Sequence, residues 1–471
     1  LLAFTFFFRL FMIDMVSTNG DPIFYWGAAK SLFSNGGYVD IFQQSARFGV
    51  ILPLYIFQLL FGTSPISYYL PLILVNVLMT YYLYKMILLL SDEVKAFFVT
   101  LTFILFPLSW IYGYAYFMHP YPGPFETLFV LISFYYLTLW SFKKPKIKYV
   151  IIASIFMFLA YESKETAVIM ILGGIFILHK NKKHLIIYSG ILAMLFICEI
   201  ILYKIVAEID FGRLGAMQSH FEDPGQYLVY FNSPFDLLKR FTVGLKHPSK
   251  IMFWLFFLFT PYYLIKNKSR QTKHLLIIAY SFIIPITFAV KSINPVQIAL
   301  PFNTRYLNIV LPYVTAINVF GIIRAIEWCR KKTFGIKFKK ETLKKIHVRF
   351  VVLLCAAAFI FCILYKKTIH YKIYLYNKLI DDAVLKNMAI VQKTDTDNRH
   401  HSTNELDVAA RMFMDNPDMI RETIKTHSVY PHILYISTTE DKTEPALSDE
   451  VVFVQSTPFG AHILKLKNVI E

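Results

Sequence analysis

Eight ionisable residues border or interrupt apolar runs in this chain: Asp21, Arg47, Glu126, Glu162, Lys164, Glu165, Lys291 and Arg305. Charges at the edge of an apolar phase are costly, which makes them functional candidates. Their types suit group transfer. A carboxylate can take a proton from an attacking hydroxyl, and an arginine or lysine can hold a departing oxyanion or phosphate. No Gly-rich phosphate loop, zinc-ligand spacing or nucleophile elbow accompanies them. The ionisable groups gather at one rim rather than at mid-bilayer, unlike the pathway of an ion-coupled transporter.

Each residue also fits a plainer role. Asp21 opens the stretch DPIFYWGAAKSLFSNGGY and, with Pro22 behind it, suits a helix N-cap. Arg47 suits an interfacial cation. Glu126 heads an apolar run after the loop YGYAYFMHPYPGP, where a first-turn acid favours the helix dipole. The aromatic residues of that loop, Tyr121 among them, suit an interfacial belt or a platform for a sugar ring. His119 reads as a hydrogen-bonding loop residue rather than a metal ligand. Glu162, Lys164 and Glu165 fall in a tight turn and can pair with one another. Arg305-Tyr306 follows the turn PFNT, where a cation suits either an anchor or a bidentate hold on an anion.

The elements that carry these residues follow from composition. The 471 residues are 56% hydrophobic and 17% aromatic, with mean hydropathy +0.49. Continuous apolar runs near the length of a bilayer crossing recur, so the chain reads as a polytopic helical membrane protein and not a barrel. The formal charge of +17 comes from Lys and Arg clustered in short loops, as positive-inside bias produces; a nucleic-acid partner is not expected. Of the four cysteines, Cys198, Cys355 and Cys362 lie in apolar runs and Cys329 beside a basic loop, so no disulfide framework is expected. The start at Leu1 reads as lacking a few residues rather than as a cleaved signal.

The first span is expected to end near Phe11 to Ile13, with Arg9 snorkelling. Phe24, Ala28, Ser31 and Leu32 share one helical face, which predicts a helix on the membrane surface. Phe48 to Phe61 is short, as an interfacial or re-entrant piece would be. Further spans are expected near 66–90, 93–112, 124–142, 147–161, 165–178, 185–206, 250–265, 275–290, 306–326 and 347–366, eleven in all. Basic loops around Lys143, Lys180, Lys266 and Arg330 then share the cytoplasmic side. The other side holds the loop 14–65, residues 113–123, 162–165, 207–248 and 291–305, and everything after 367. The fold class is an all-α transmembrane bundle over 1–366 with a small extracytoplasmic α/β domain over 367–471. Strands are expected there at 389–392, 433–436 and 451–454, with a helix at 404–425.

In order, these features resemble the GT-C-fold membrane glycosyltransferases, particularly the protein O-mannosyltransferase and lipid A aminoarabinose transferase branch. The resemblance runs through Arg9, Asp21, Tyr25, Ala29, Leu32 and Gly37-Tyr38; then Arg47 to Gly62; Leu105 to Pro107; Glu126; Leu159 to Lys164; and Arg305-Tyr306 with Pro312. Where the family often carries two adjacent acids, this chain has Asp21-Pro22. The resemblance implies transfer of a sugar from a polyprenyl or dolichyl monophosphate donor to a glycan, lipid or protein acceptor on the outer face of the cell membrane, with inversion. It implies Asp21 as base, with Glu126 as second candidate or acceptor-orienting group. Arg305, Lys164 and Arg47 would hold the donor phosphate, and Tyr25, Tyr38, Tyr121 and Tyr306 would line the substrate site. No cofactor is required by this scheme; a divalent metal is compatible with it but not indicated. Alternatives are a ligase or polymerase of lipid-linked glycans, a lipid-linked sugar flippase or transporter, and a non-catalytic scaffold.

Overall fold

The computed structural model describes residues 1–11, 21–31, 46–105, 119–207, 209–215, 230–231, 251–266, 269–288, 290–293, 296–298, 304–333, 389–392, 432–437, 450–457 and 460–468. Helices α1 (Leu2–Phe11), α2 (Asp21–Ser31), α3 (Phe48–Phe61), α4 (Pro65–Leu90) and α5 (Glu93–Leu105) come first. Then follow α6 (Pro122–Phe142), α7 (Ile147–Ser163), a 3-10 turn (Glu165–Met170), α8 (Ile171–Leu178) and α9 (Lys182–Ala207). Helices α10 (Ile251–Ile265), α11 (Arg270–Phe288), α12 (Thr304–Leu307) and α13 (Leu311–Thr333) complete the described helical part.

Among the described residues, five helical stretches are long and apolar enough to cross a membrane: Ile66–Leu90, Pro122–Phe142, Lys182–Ile205, Arg270–Phe288 and Asn308–Trp328. Phe48–Phe61, Glu165–Leu178 and Met252–Ile265 are shorter apolar helices. The expected span at 347–366 lies outside the described residues. The single helix expected over 165–178 is instead a 3-10 turn running into α8, and that break matters for the site.

Helix starts follow local chemistry. Ser64 caps α4: its hydroxyl accepts the Ser67 N–H at 3.4 Å, and the Ser67 hydroxyl accepts the Ser64 N–H at 3.1 Å. Pro65 supplies a preset first residue. Pro122 does the same for α6. Helix α6 is the axis of the bundle. Leu131, Phe134 and Leu137 from it meet Val150, Ala153 and Met157 of α7, Ala279 and Phe282 of α11, and Ile317 of α13 in one buried apolar core.

Cross-helix contacts orient the bundle. Tyr68 and His119 share a hydrogen bond of 3.0 Å, which sets the start of α4 beside the start of α6. At the other end, Arg270 donates to the Ser141 carbonyl at 2.6 Å and Trp140 meets His184, so α11 and α9 begin where α6 ends. The basic loops with Lys143, Lys180 and Lys266 therefore share one end, as expected. A cavity of about 370 Å³ opens at that end among Lys95, Tyr262, Lys266, Gln271, Arg324 and Glu327. The buried acids gather at the opposite end.

Helix α3 has both ends at the acid-bearing end, since it leads from Arg47 to the start of α4. Its 14 residues span roughly 21 Å at ~1.5 Å per residue, short of the ~30 Å of a bilayer core. That agrees with the re-entrant or interfacial reading. Helix α2 packs through Pro22, Tyr25, Trp26 and Ala29, which are buried, one residue round from the face expected. Gln58 of α3 donates to the Trp26 carbonyl at 3.2 Å. Arg9 does not reach out as expected: it is 3% exposed and lies over the Phe8 ring.

Strands are few. β1 (Tyr230–Phe231), β2 (Val290–Ile293) and β3 (Val296–Ile298) form a small antiparallel sheet in the order β1-β3-β2. The tail carries β4 (Ala389–Gln392), β5 (His432–Ser437), β6 (Glu450–Thr457) and β7 (Gly460–Asn468) in the order β4-β5-β7-β6, with β4 and β5 parallel. The three expected strands are there, and β7 is additional. The helix expected at 404–425 lies outside the described residues.

Candidate active site

The site is built on the break between α7 and the 3-10 turn. Lys164 is extended, at φ −158° and ψ 132°, with its N–H on the Ala160 carbonyl. This break sends three consecutive side chains to two different walls. Lys164 Nζ lies 3.7 Å from Glu126 Oε2 and 4.2 Å from the centre of the Tyr306 ring, the second a cation–π contact. Thr166 donates its hydroxyl proton to Glu126 Oε1 at 2.6 Å. Glu165 turns the other way and accepts from two arginines: Arg47 at 3.1 and 3.2 Å, and Arg213 at 2.8 Å.

Each arginine is fixed from behind. Arg47 heads α3 and donates to the Tyr25 hydroxyl of α2. Its neighbour Ala46 is tied to α9, where the Tyr203 hydroxyl donates to the Ala46 carbonyl at 3.0 Å. Gly49 lets α3 press onto the end of α7: a Cβ there would sit 2.6 Å from Ser163 N and 2.8 Å from the Leu159 carbonyl. Arg213 lies in a short helical piece at 212–215 after α9. Phe211 and Gly212, both at φ +62°, turn the chain back there. The Arg213 N–H bonds Glu199 Oε1 at 3.0 Å, and its guanidinium donates to the Tyr161 carbonyl. Arg213 is fully buried.

No protein-family model matches the sequence, and no curated protein does. Solved structures do. ArnT from Cupriavidus metallidurans bound to undecaprenyl phosphate aligns with a TM-score of 0.55 at 11% identity, over 99% of this chain and 96% of that one. The chain has the GT-C fold. Apo ArnT from the same organism gives 0.49 at 11% identity, over 98% of this chain and 95% of that one. The archaeal oligosaccharyltransferase AglB from Archaeoglobus fulgidus, with an inhibitory peptide and a dolichol-phosphate, gives 0.45 at 14%, over 78% of this chain and 55% of that one. At such identities the likeness to ArnT is one of fold.

Within the GT-C fold, Arg47, Glu126, Lys164, Tyr25 and Tyr306 come together as described. Tyr25 is fully buried against Arg47, with the guanidinium 5.7 Å over its ring. Tyr121 is half-buried immediately ahead of α6. Asp21 is the first residue of α2, one helical turn before Tyr25, and Arg305 sits in α12 beside Tyr306. The side chains of Asp21, Lys291 and Arg305, and all of Tyr38, lie outside the described residues. Glu162, Lys164 and Glu165 do not pair with one another: the chain break aims Lys164 and Glu165 at other elements. Glu162 is 5% exposed, and neither of its oxygens has a hydrogen-bond partner among the described residues.

Sequence reasoning missed Arg213, Glu199 and Thr166. Glu199 had a signal, an acid inside the apolar run MLFICEIILY, which is costly unless partnered. Arg213 had none, because its loop looks like any other polar connection. His119 behaves as expected, bonded to Tyr68; burial holds its imidazole down to about 4. Among the described residues, no group of three or more His, Cys, Asp or Glu side chains is placed to hold a metal ion.

Proposed function

We propose that this protein is a membrane glycosyltransferase that moves a sugar from a polyprenyl or dolichyl monophosphate to an acceptor on the extracytoplasmic face, with inversion. The carrying observation is the meeting of Arg47, Lys164 and Arg213 with Glu126 and Glu165 at one end of a GT-C bundle, opposite the basic loops. The ArnT structure that shares this fold is bound to undecaprenyl phosphate, a ligand of the class such cations suit.

In this reading Asp21 takes the acceptor hydroxyl proton as the oxygen attacks the anomeric carbon. The bond from that carbon to the phosphate oxygen breaks, and its electron pair leaves with the phosphate. Arg47, Lys164, Arg213 and Arg305 stabilise the departing charge. Glu126 and Thr166 hold Lys164 in place, and Tyr306 gives its ammonium a second face. These cations supply the neutralisation, so the scheme needs no cofactor or metal. Positive-inside bias sets the basic loops in the cytoplasm and the site outside the cell membrane. The tail, as a small α/β domain, is assigned to acceptor recognition; a folded truncation before Lys367 with unchanged acceptor choice and turnover would refute that role.

The test is sugar transfer in membranes carrying wild type, Asp21→Asn and Glu126→Gln at matched expression, following label out of a polyprenyl-phosphate sugar pool. Asp21→Asn is expected to lose on the order of a hundredfold or more, as removal of a general base does. Wild type that consumes no such donor refutes the function. Undiminished transfer by Asp21→Asn refutes the base.

A further inference from the structure

We infer that Glu165 is the positioning residue of the donor site: it sets Arg47 and Arg213 as one guanidinium pair for the donor's phosphate. The inference rests on the function proposed above. Glu165 Oε2 takes both arginines, Arg213 at 2.8 Å and Arg47 at 3.1 Å, and Oε1 takes Arg47 again at 3.2 Å. Two guanidinium groups held this close repel without a shared anion. Each is also anchored on its far edge, Arg47 on the Tyr25 hydroxyl and Arg213 on the Tyr161 carbonyl. The carboxylate is therefore the link between a cation at the head of α3 and a cation in the turn after α9.

A carboxylate bound to two arginines has two opposite readings. It either arranges the cations or competes with the phosphate for them. The surroundings favour arrangement. Glu165 cannot easily withdraw, because Lys164 and Thr166 on either side are both pinned to Glu126. Arg213 keeps one further donor, its Nε–H, without a hydrogen-bond partner among the described residues. A planar guanidinium fixed through both terminal nitrogens is preorganised to give its remaining N–H groups to an oxyanion.

The two readings differ in sign. The experiment uses the full-length protein in lipid nanodiscs. It measures binding of undecaprenyl phosphate, without sugar, and steady-state transfer from the corresponding lipid-linked sugar. Positioning predicts that Glu165→Gln weakens undecaprenyl phosphate binding at least tenfold and raises donor KM comparably, with kcat changed less than about threefold. Glu165→Asp, which keeps the charge but shortens the reach, is expected to fall between the two. Unchanged or tighter binding by Glu165→Gln overturns the inference, as does a loss confined to kcat. Should Glu165→Gln fail to fold, Glu165→Asp decides: a raised donor KM supports positioning and an unchanged one overturns it. Wild type that neither binds undecaprenyl phosphate nor transfers from the corresponding lipid-linked sugar refutes the proposed function and this inference with it. Normal wild-type behaviour with an indifferent Glu165→Gln refutes this inference alone.

Discussion

Lys164 and Glu126 stand 3.7 Å apart with side-chain exposures of 6% and 1%. One comes from the end of α7 and the other from the second turn of α6. Removing one partner of a buried ion pair leaves an uncompensated charge and costs about 3–5 kcal/mol. We expect Glu126→Gln and Lys164→Met each to destabilise the protein by about that much. The double variant should cost clearly less than the sum. Denaturant or thermal unfolding in detergent, read as a double-mutant cycle, checks this; strict additivity would mean the pair does not couple.

Arg213 carries the next expectation. Arg213→Met leaves Glu165 with one arginine and strips the turn after α9 of its buried charge. Transfer should fall as far as in Arg47→Met. Arg213→Lys should not rescue it, because a lysine cannot give two fixed N–H groups to Glu165 and the Tyr161 carbonyl at once. Transfer assays on the three variants decide; full activity in Arg213→Lys would show that charge alone matters there.

Two glycines are needed for their shape. Gly49→Ala places a methyl group against the backbone of Ser163 and Leu159, and overpacking of this kind costs about 1–3 kcal/mol. Gly212→Ala forces a side chain into φ +62°, at about 1–2 kcal/mol, and sets its Cβ 3.3 Å from Glu199 Oε1. Both variants should unfold earlier than wild type on heating. Both should also lose transfer out of proportion, since each displaces an arginine; the same variants with normal melting and transfer would discount the close packing seen here.

His119 gives a pH dependence. Burial lowers its folded-state value to about 4, below the usual ~6.5. Between those values the unfolded chain takes up a proton that the folded protein refuses. The stability tied to neutral His119 is thus fully present above about pH 6.5. It declines as pH falls towards 4 and levels off below that. The difference between the plateaus is on the order of 3 kcal/mol. Melting temperatures of wild type and His119→Gln between pH 7.5 and 4.5 should show an extra decline in wild type only; parallel curves would argue that His119 titrates normally.

Much of this organisation was legible in the sequence because it is local. Run length marks spans such as Ile66–Leu90 and Pro122–Phe142. Lysines mark one end of the bundle, and short continuous apolar runs mark strands such as β4 and β5. Phe48–Phe61 reads as too short for a crossing, but Glu165–Leu178 and Met252–Ile265, equally short, were expected to cross. Candidate residues were found through cost: a charge kept beside an apolar run, as in Arg47, Glu126 and Lys164, asks for a partner.

The sequence could not say which partner. It left Glu162, Lys164 and Glu165 free to pair within their own turn. Only the break at Lys164 sends one side chain to α6 and the next to Arg47 and Arg213. It left Arg213 invisible, since nothing in its loop announces that the turn at Phe211-Gly212 folds back onto Glu199. Hydropathy is summed residue by residue against the bilayer, so the chain alone determines it. An ion pair depends on where several helix ends meet in space, and that is decided only when the bundle closes around α6.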